Sequence, residues 1–182
     1  TTFSFENGYA SYKSRYVRTP KFEAERKAGK ALFGIYRNPY TDDPSVKGIS
    51  GGTANTNLLY HSGKLLALKE DSLPIEIDPQ SLETIGVFDF GSGISSQTFT
   101  AHPKVDPDDG TLYAIGYEAT GLASKDIAIY RINSKGEKEG EVYIEAPYAC
   151  MVHDFGISEN HIIIPISPLC SDLEKIKQGN PH

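Results

Sequence analysis

Residues 149–155 read A-C-M-V-H-D-F, an apolar stretch with one imidazole, His153, near its middle. A second stretch of the same kind, F-T-A-H-P-K-V at 99–105, carries His102 beside a proline. Each is followed by a polar break, Asp106-Pro107-Asp108-Asp109-Gly110 in one and Ser158-Glu159-Asn160 in the other, and then by a strand pattern at 111–117 or 161–166. A third copy lies upstream, where 53–60 runs into His61-Ser62-Gly63 and a strand at 64–68, with Asn57 near the place of the histidines. Asn57, His102 and His153 are spaced by 45 and 51 residues. A repeat of that length built from short strands is the sequence mark of a β-propeller, whose blades are small antiparallel sheets around one axis. Histidines in phase would converge on that axis. Neutral imidazoles from different strands are donors that iron, zinc and copper sites use, although a single histidine serves as readily in a structural place.

The remaining strand signals support an all-β meander. Apolar or alternating runs occupy 53–60, 64–69, 74–78, 84–90, 97–105, 111–117, 126–132, 141–145, 149–157 and 161–166, most of them separated by turn residues such as Asp78-Pro79, Gly91-Ser92-Gly93 and Ser134-Lys135-Gly136. The aromatic-rich start, residues 1–17, fits short strands about Glu6-Asn7-Gly8. Thr19-Pro20 opens a short helix that Gly29 closes, and Ser171-Asp172-Leu173-Glu174 reads as a capping box for a second, polar helix near 169–177. At 182 residues the chain holds three or four blades' worth of strands. It starts at Thr1 and stops just after a new blade begins, so residues 1–182 are expected to be a segment of a single propeller domain that is larger.

Composition narrows the function. The net charge of -6 and the lack of a Lys/Arg cluster interleaved with aromatics argue against nucleic acid as a partner. No apolar run approaches the roughly 20 residues of a membrane span. Two cysteines, Cys150 and Cys170, are too few for a disulfide framework and point to a reduced, cytoplasmic setting. Asp106 to Gly110 has calcium-loop residue types, but Tyr117 stands where a bidentate Glu is needed, so a plain hairpin turn is the better reading. Residues 47–52 lack Walker spacing. His61 and His161 read as surface residues. Cys150 and His153, three apart on a strand, would face opposite ways and make no catalytic pair. Glu70 ends the apolar run Leu65-Leu66-Ala67-Leu68 and is a natural carboxylate partner for a metal-bound imidazole, or else begins the turn at Asp71-Ser72.

Six motifs together resemble the carotenoid cleavage oxygenases, and among them the stilbene-cleaving members. They are F-x-x-G-Y-A near the start, R-Y-V-R-T at 15–19, N-T-N at 55–57, L-L-A-L-K-E at 65–70, T-A-H-P-K at 100–104 and V-H-D-F at 152–155. The resemblance implies a seven-bladed propeller with short helices in its loops and a ferrous ion, Fe(2+), on the axis, held by four histidines. It identifies His102 and His153 with the first two ligands and Glu70 with the carboxylate that orients His153. The other two ligands are expected outside this sequence, since His182 has no supporting motif. Lys69 matches a lysine that contacts the 4-hydroxyl of a phenolic substrate in the stilbene-cleaving branch, with Tyr36 as the accompanying tyrosine and Tyr40 second. The implied activity is O₂-dependent cleavage of the central double bond of a hydroxylated stilbene, such as resveratrol, to two aromatic aldehydes. The polar P-L-C-S-D-L-E-K-I-K after V-H-D-F suits a soluble enzyme and a small substrate. An apocarotenoid or carotenoid oxygenase is the other enzymatic reading, and a non-catalytic propeller that only binds is the reading from another class.

Overall fold

The structure is a computed structural model that describes residues 1–91 and 93–181. Ser92, in the expected Gly91-Ser92-Gly93 turn, and His182 lie outside the described residues. A hairpin of β1 (Thr2–Glu6) and β2 (Tyr9–Lys13) comes first, followed by α1 (Pro20–Ala28). The side chain of Thr19 caps α1 by accepting the Phe22 N–H, as the sequence predicts.

Two four-stranded antiparallel sheets form the body. The first runs in the order β3 (Asn57–His61), β4 (Lys64–Leu68), β5 (Ile75–Ile77), β6 (Thr84–Val87). In the second, β7 (Lys104–Val105), β8 (Leu112–Tyr117), β9 (Asp126–Ile132) and β10 (Lys138–Glu145) lie side by side in chain order. A pair of two-residue strands, β11 (Gly156–Ile157) and β12 (Ile162–Ile163), and the short helix α2 (Leu173–Lys177) complete the chain. Tight hairpins make the meander. Ser62 and Gly63 both take positive φ, 51° and 76°, the mirror-image turn whose twist matches that of the flanking strands.

The second sheet is the middle layer. Leu112 and Ala114 of β8 pack with Leu66 and Leu68 of the first sheet, together with Phe90, Phe99 and Tyr130. Ile115 and Tyr117, on the alternate side of the same strand, pack with Cys150, Val152 and Phe155 of the following segment. Period-two alternation thus gives β8 two apolar faces, and it is covered on both.

Four expectations are corrected. The strands expected at 97–105 and 149–157 shrink to their last two residues, Lys104–Val105 and Gly156–Ile157. Pro103 has no N–H for a ladder. The backbone before it is served by other groups: the Thr98 N–H donates to Ser96 Oγ (3.0 Å) and the Ser96 N–H to the Tyr130 hydroxyl (3.3 Å). β10 begins at Lys138, ahead of the expected 141, because a register shift between Lys138 and Gly140 lets the strand continue through the glycine. His61 is buried, not on the surface: turns of the second sheet cover it, and its Nε2 meets the Gly110 carbonyl at 3.0 Å. Asp172, not Ser171, caps α2 by accepting the Glu174 and Lys175 N–H groups. Among the described residues, no helix is long and apolar enough to cross a membrane.

Candidate metal centre

Three chain segments meet where Glu70, His102 and His153 sit, and each is held there by an identifiable contact. Glu70 lies two residues past the end of β4, in the turn that the Ser72 N–H closes onto the Lys69 carbonyl. His102 belongs to the segment 96–103, which bends at 96–97 and again at 101–102 and is tied to β8: the Thr100 N–H donates to the Ile115 carbonyl (2.7 Å) and Thr98 Oγ1 donates to the Tyr117 carbonyl (2.6 Å). That approach requires Gly116, where a Cβ would stand 2.4 Å from the Thr98 carbonyl oxygen. Asn57 Nδ2 then donates to the Ala101 carbonyl (2.9 Å), joining the start of β3 to the residue before His102.

His153 is carried by 149–155, pinned through the apolar side chains of Cys150, Val152 and Phe155. Lys104 ties the two histidine segments together, donating to Asp154 at 2.7 Å with its ammonium 5.6 Å from the centre of the Phe155 ring.

The two imidazoles converge. His102 Nε2 and His153 Nε2 are 3.1 Å apart, and the rings meet edge to face at an interplanar angle of 68° and a centroid distance of 4.6 Å. On the far side of the second ring, His153 Nδ1 lies 2.9 Å from Glu70 Oε1. In the tautomer whose Nδ1–H donates to the carboxylate, the Nε2 lone pair of His153 faces His102. Burial by itself would raise the Glu70 carboxyl. Its backbone hydrogen bond, the hydrogen bond from His153 and the charge of Lys69 outweigh burial and hold it below the usual carboxylate range. Glu70 is therefore an anion at neutral pH, as an imidazole-orienting group should be.

Imidazole nitrogens bound side by side to one ion at about 2.1 Å, at right angles, would be ~3.0 Å apart, so this pair fits neighbouring positions on a metal. No cluster of three or more His, Cys, Asp or Glu able to hold a metal is present among the described residues. The chain thus presents a two-imidazole set with one supporting carboxylate.

Beside this set, Lys69 turns its ammonium to Tyr36, 4.9 Å from the ring centre, and lies 3.5 Å from Glu70 Oε2. Burial first, and then the charges of Asp71 and Glu70, push the Tyr36 phenol well above its usual range, with Arg37 opposing. Tyr36 also borders a cleft of about 500 Å³ that Phe33, Ile35, Arg37 and Leu73 help to line. Neither histidine lines that cleft. Tyr36 and Tyr40 are both about half exposed, 48% and 55%, and Tyr36 is the one that the fold brings against Lys69.

Sequence reasoning passed over the groups that fix Tyr36. Arg37 donates to Glu118 at 2.5 Å and stacks over Tyr117, 4.6 Å from the ring centre. The partners are 81 residues apart, and no local pattern announces the pair. Cys150 is buried, whereas His153 is exposed and turned to Glu70, so the two make no catalytic couple.

The sequence model of the family described as retinal pigment epithelial membrane protein, the carotenoid oxygenases, matches residues 1–182. The chain belongs to this family. Similar relatives are the isoeugenol monooxygenase of Pseudomonas nitroreducens, 48% identical over 181 residues, and resveratrol cleavage oxygenase 1 of Chaetomium globosum, 48% identical over 182 residues. These matches cover 100% and 98% of this chain but 38% and 31% of those proteins. The crystal structure of the Pseudomonas brassicacearum lignostilbene dioxygenase superimposes with a TM-score of 0.92 at 44% identity, over 99% of this chain and 37% of that one. The chain therefore spans about a third of the length of these carotenoid-oxygenase relatives, 31% to 38%, and its all-β architecture with few helices matches that of the lignostilbene dioxygenase over this segment.

Proposed function

We propose that the whole protein is an iron(II) dioxygenase that cleaves the central C=C bond of a 4-hydroxystilbene such as resveratrol to two aromatic aldehydes, with O₂ as co-substrate. In this reading residues 1–182 are part of one seven-bladed propeller in a cytoplasmic enzyme. Two successive four-stranded meanders sharing a core support that architecture. His102 and His153 would supply two of the iron's ligands, and Glu70 would fix the tautomer and direction of His153. The converging Nε2 atoms and the Glu70 contact support these roles. Ferrous iron, when bound, supplies the activation of dioxygen.

The observation that carries the substrate class is the Lys69 ammonium over Tyr36, next to the Glu70–His153 pair. A lysine only 17% exposed, whose contact with Glu70 Oε2 is a long 3.5 Å, has donors left for a further acceptor, and a phenol or phenolate oxygen is one. Tyr36, a phenol that stays protonated at neutral pH, would donate a second hydrogen bond to that oxygen. Stabilising the phenolate raises electron density at the conjugated alkene, so one contact would serve both binding and reaction. Isoeugenol, resveratrol and lignostilbenes, the compounds named in the relatives, all join a 4-hydroxyphenyl ring to an alkene.

The test is turnover of paired 4-hydroxy and 4-methoxy stilbenes by the full-length protein, with Lys69→Met, Tyr36→Phe and Tyr40→Phe beside it. The proposal expects turnover of the hydroxy compound alone, its loss in Lys69→Met, a milder loss in Tyr36→Phe, and none in Tyr40→Phe. Similar rates on both substrates would overturn phenol recognition and favour a carotenoid-type substrate.

A further inference from the structure

Cys150 and Cys170 stand opposite each other as an antiparallel bridge outside the named strands. The Ser171 N–H donates to the Ala149 carbonyl at 2.9 Å, a bond that joins the residue after one cysteine to the residue before the other. This pattern makes the cysteines a non-hydrogen-bonded pair, the narrow rung of an antiparallel ladder, where Cα atoms lie about 4.5 Å apart and the side chains project to one side. Disulfides span Cα separations of about 4.4–6.8 Å, so the rung is already within reach of an S–S bond. Both thiols are free. Cys150 is buried against Val152 and Phe155, and Cys170 is exposed, its thiol pointing at the Pro168 carbonyl 3.6 Å away.

We propose that Cys150 and Cys170 are a thiol-oxidation site that closes to a disulfide when the protein meets a peroxide. Burial, with the nearby Cys170 adding to it, pushes the Cys150 thiol up, so the buried sulfur is the slower to ionise. The exposed sulfur therefore reacts first. The Cys170 thiolate attacks one peroxide oxygen, the O–O bond breaks, and a sulfenic acid forms as water departs. The Cys150 sulfur then attacks the Cys170 sulfur, the S–O bond breaks, and a second water leaves with the Cys150 proton. Two thiols are oxidised to one disulfide and one peroxide is reduced to two waters. A rotation of the Cys170 side chain away from Pro168 is the motion required. The bond would add a covalent lock of 149–155, and with it His153, onto 168–172 to the backbone pairing of the ladder. The proposal stands on the backbone pairing and does not depend on what His153 binds.

The experiment uses full-length protein freed of metal and kept in chelator, treated with hydrogen peroxide, denatured, alkylated and peptide-mapped. Expected is the loss of alkylation at both cysteines together, one linked 150–170 peptide, and full recovery with dithiothreitol. Cys150→Ser should leave Cys170 as a sulfenic acid that dimedone traps, and Cys170→Ser should leave Cys150 alkylatable after the same treatment. Two thiols still alkylatable after peroxide, or Cys170 oxidised further or joined to a second chain while Cys150 stays free, would overturn the proposal.

Discussion

Arg37→Met is a sharp perturbation because it removes one charge from an ion pair that the fold has almost wholly enclosed. The Arg37 side chain is 9% exposed and that of Glu118 1%, and their closest atoms are 2.5 Å apart. Methionine keeps much of the buried stem but takes the guanidinium from the carboxylate. Breaking such a pair from one side costs about 3–5 kcal/mol, and loss of the stacking over Tyr117 adds roughly 0.5–2 kcal/mol. Two features pull the total down. Glu118 Oε1 keeps the Ala123 N–H at 2.9 Å, and Arg37 Nη1 is buried without an acceptor, so the native pair is not fully satisfied. We expect a loss near 3 kcal/mol, about two orders of magnitude in the folding equilibrium. Urea unfolding of the full-length protein reads it as a lowered midpoint. Adding Glu118→Gln to Arg37→Met should restore part of the loss, because the buried carboxylate charge is then removed together with the guanidinium. A loss under about 1 kcal/mol in Arg37→Met would show the pair acting as a surface bridge and would refute the reasoning. The same lesion should weaken substrate binding through Tyr36, the neighbour of Arg37 in a loop where Arg37 itself holds a φ of 55°.

Glu70→Gln should retain the fold and lower metal affinity or activity by about 10–100-fold, the range for groups that orient a ligand imidazole, as metal titration would measure. Gly116→Ala places a methyl 2.4 Å from the Thr98 carbonyl oxygen, so segment 96–103 must lift off β8. Its expected mark is weaker metal binding together with a lower melting temperature. A variant with both unchanged would mean that close contact at Gly116 does not position His102.

The hairpins were legible because alternation and turn chemistry are local: β4, β8 and β9 lie within a residue of the apolar runs that announce them, whereas β3 begins at Asn57, four residues into its expected run. The histidine segments were legible as a repeat and misread as strands. Their backbone partners are hydroxyls and distant carbonyls, among them Ser96, Tyr130 and Ile115, which no local pattern specifies. His61 illustrates the same limit, since a Ser-Gly turn reads as surface until the Gly110 turn of another sheet covers it. Either Ser171 or Asp172 can cap a helix, and a shift of one position is beyond what composition decides. At the centre, the residue types His102, His153 and Glu70 came from the sequence, whereas Arg37, Gly116 and Asn57, which hold the surrounding backbone, act across long separations.

Iron content per chain, measured on full-length wild type, His102→Ala and His153→Ala purified in parallel, tests the central claim most directly. The account predicts near-stoichiometric iron in the wild type and loss of most of it in either variant, with circular dichroism unchanged, because each substitution removes one of two converging Nε2 donors. Iron close to the wild-type level in either variant would contradict it.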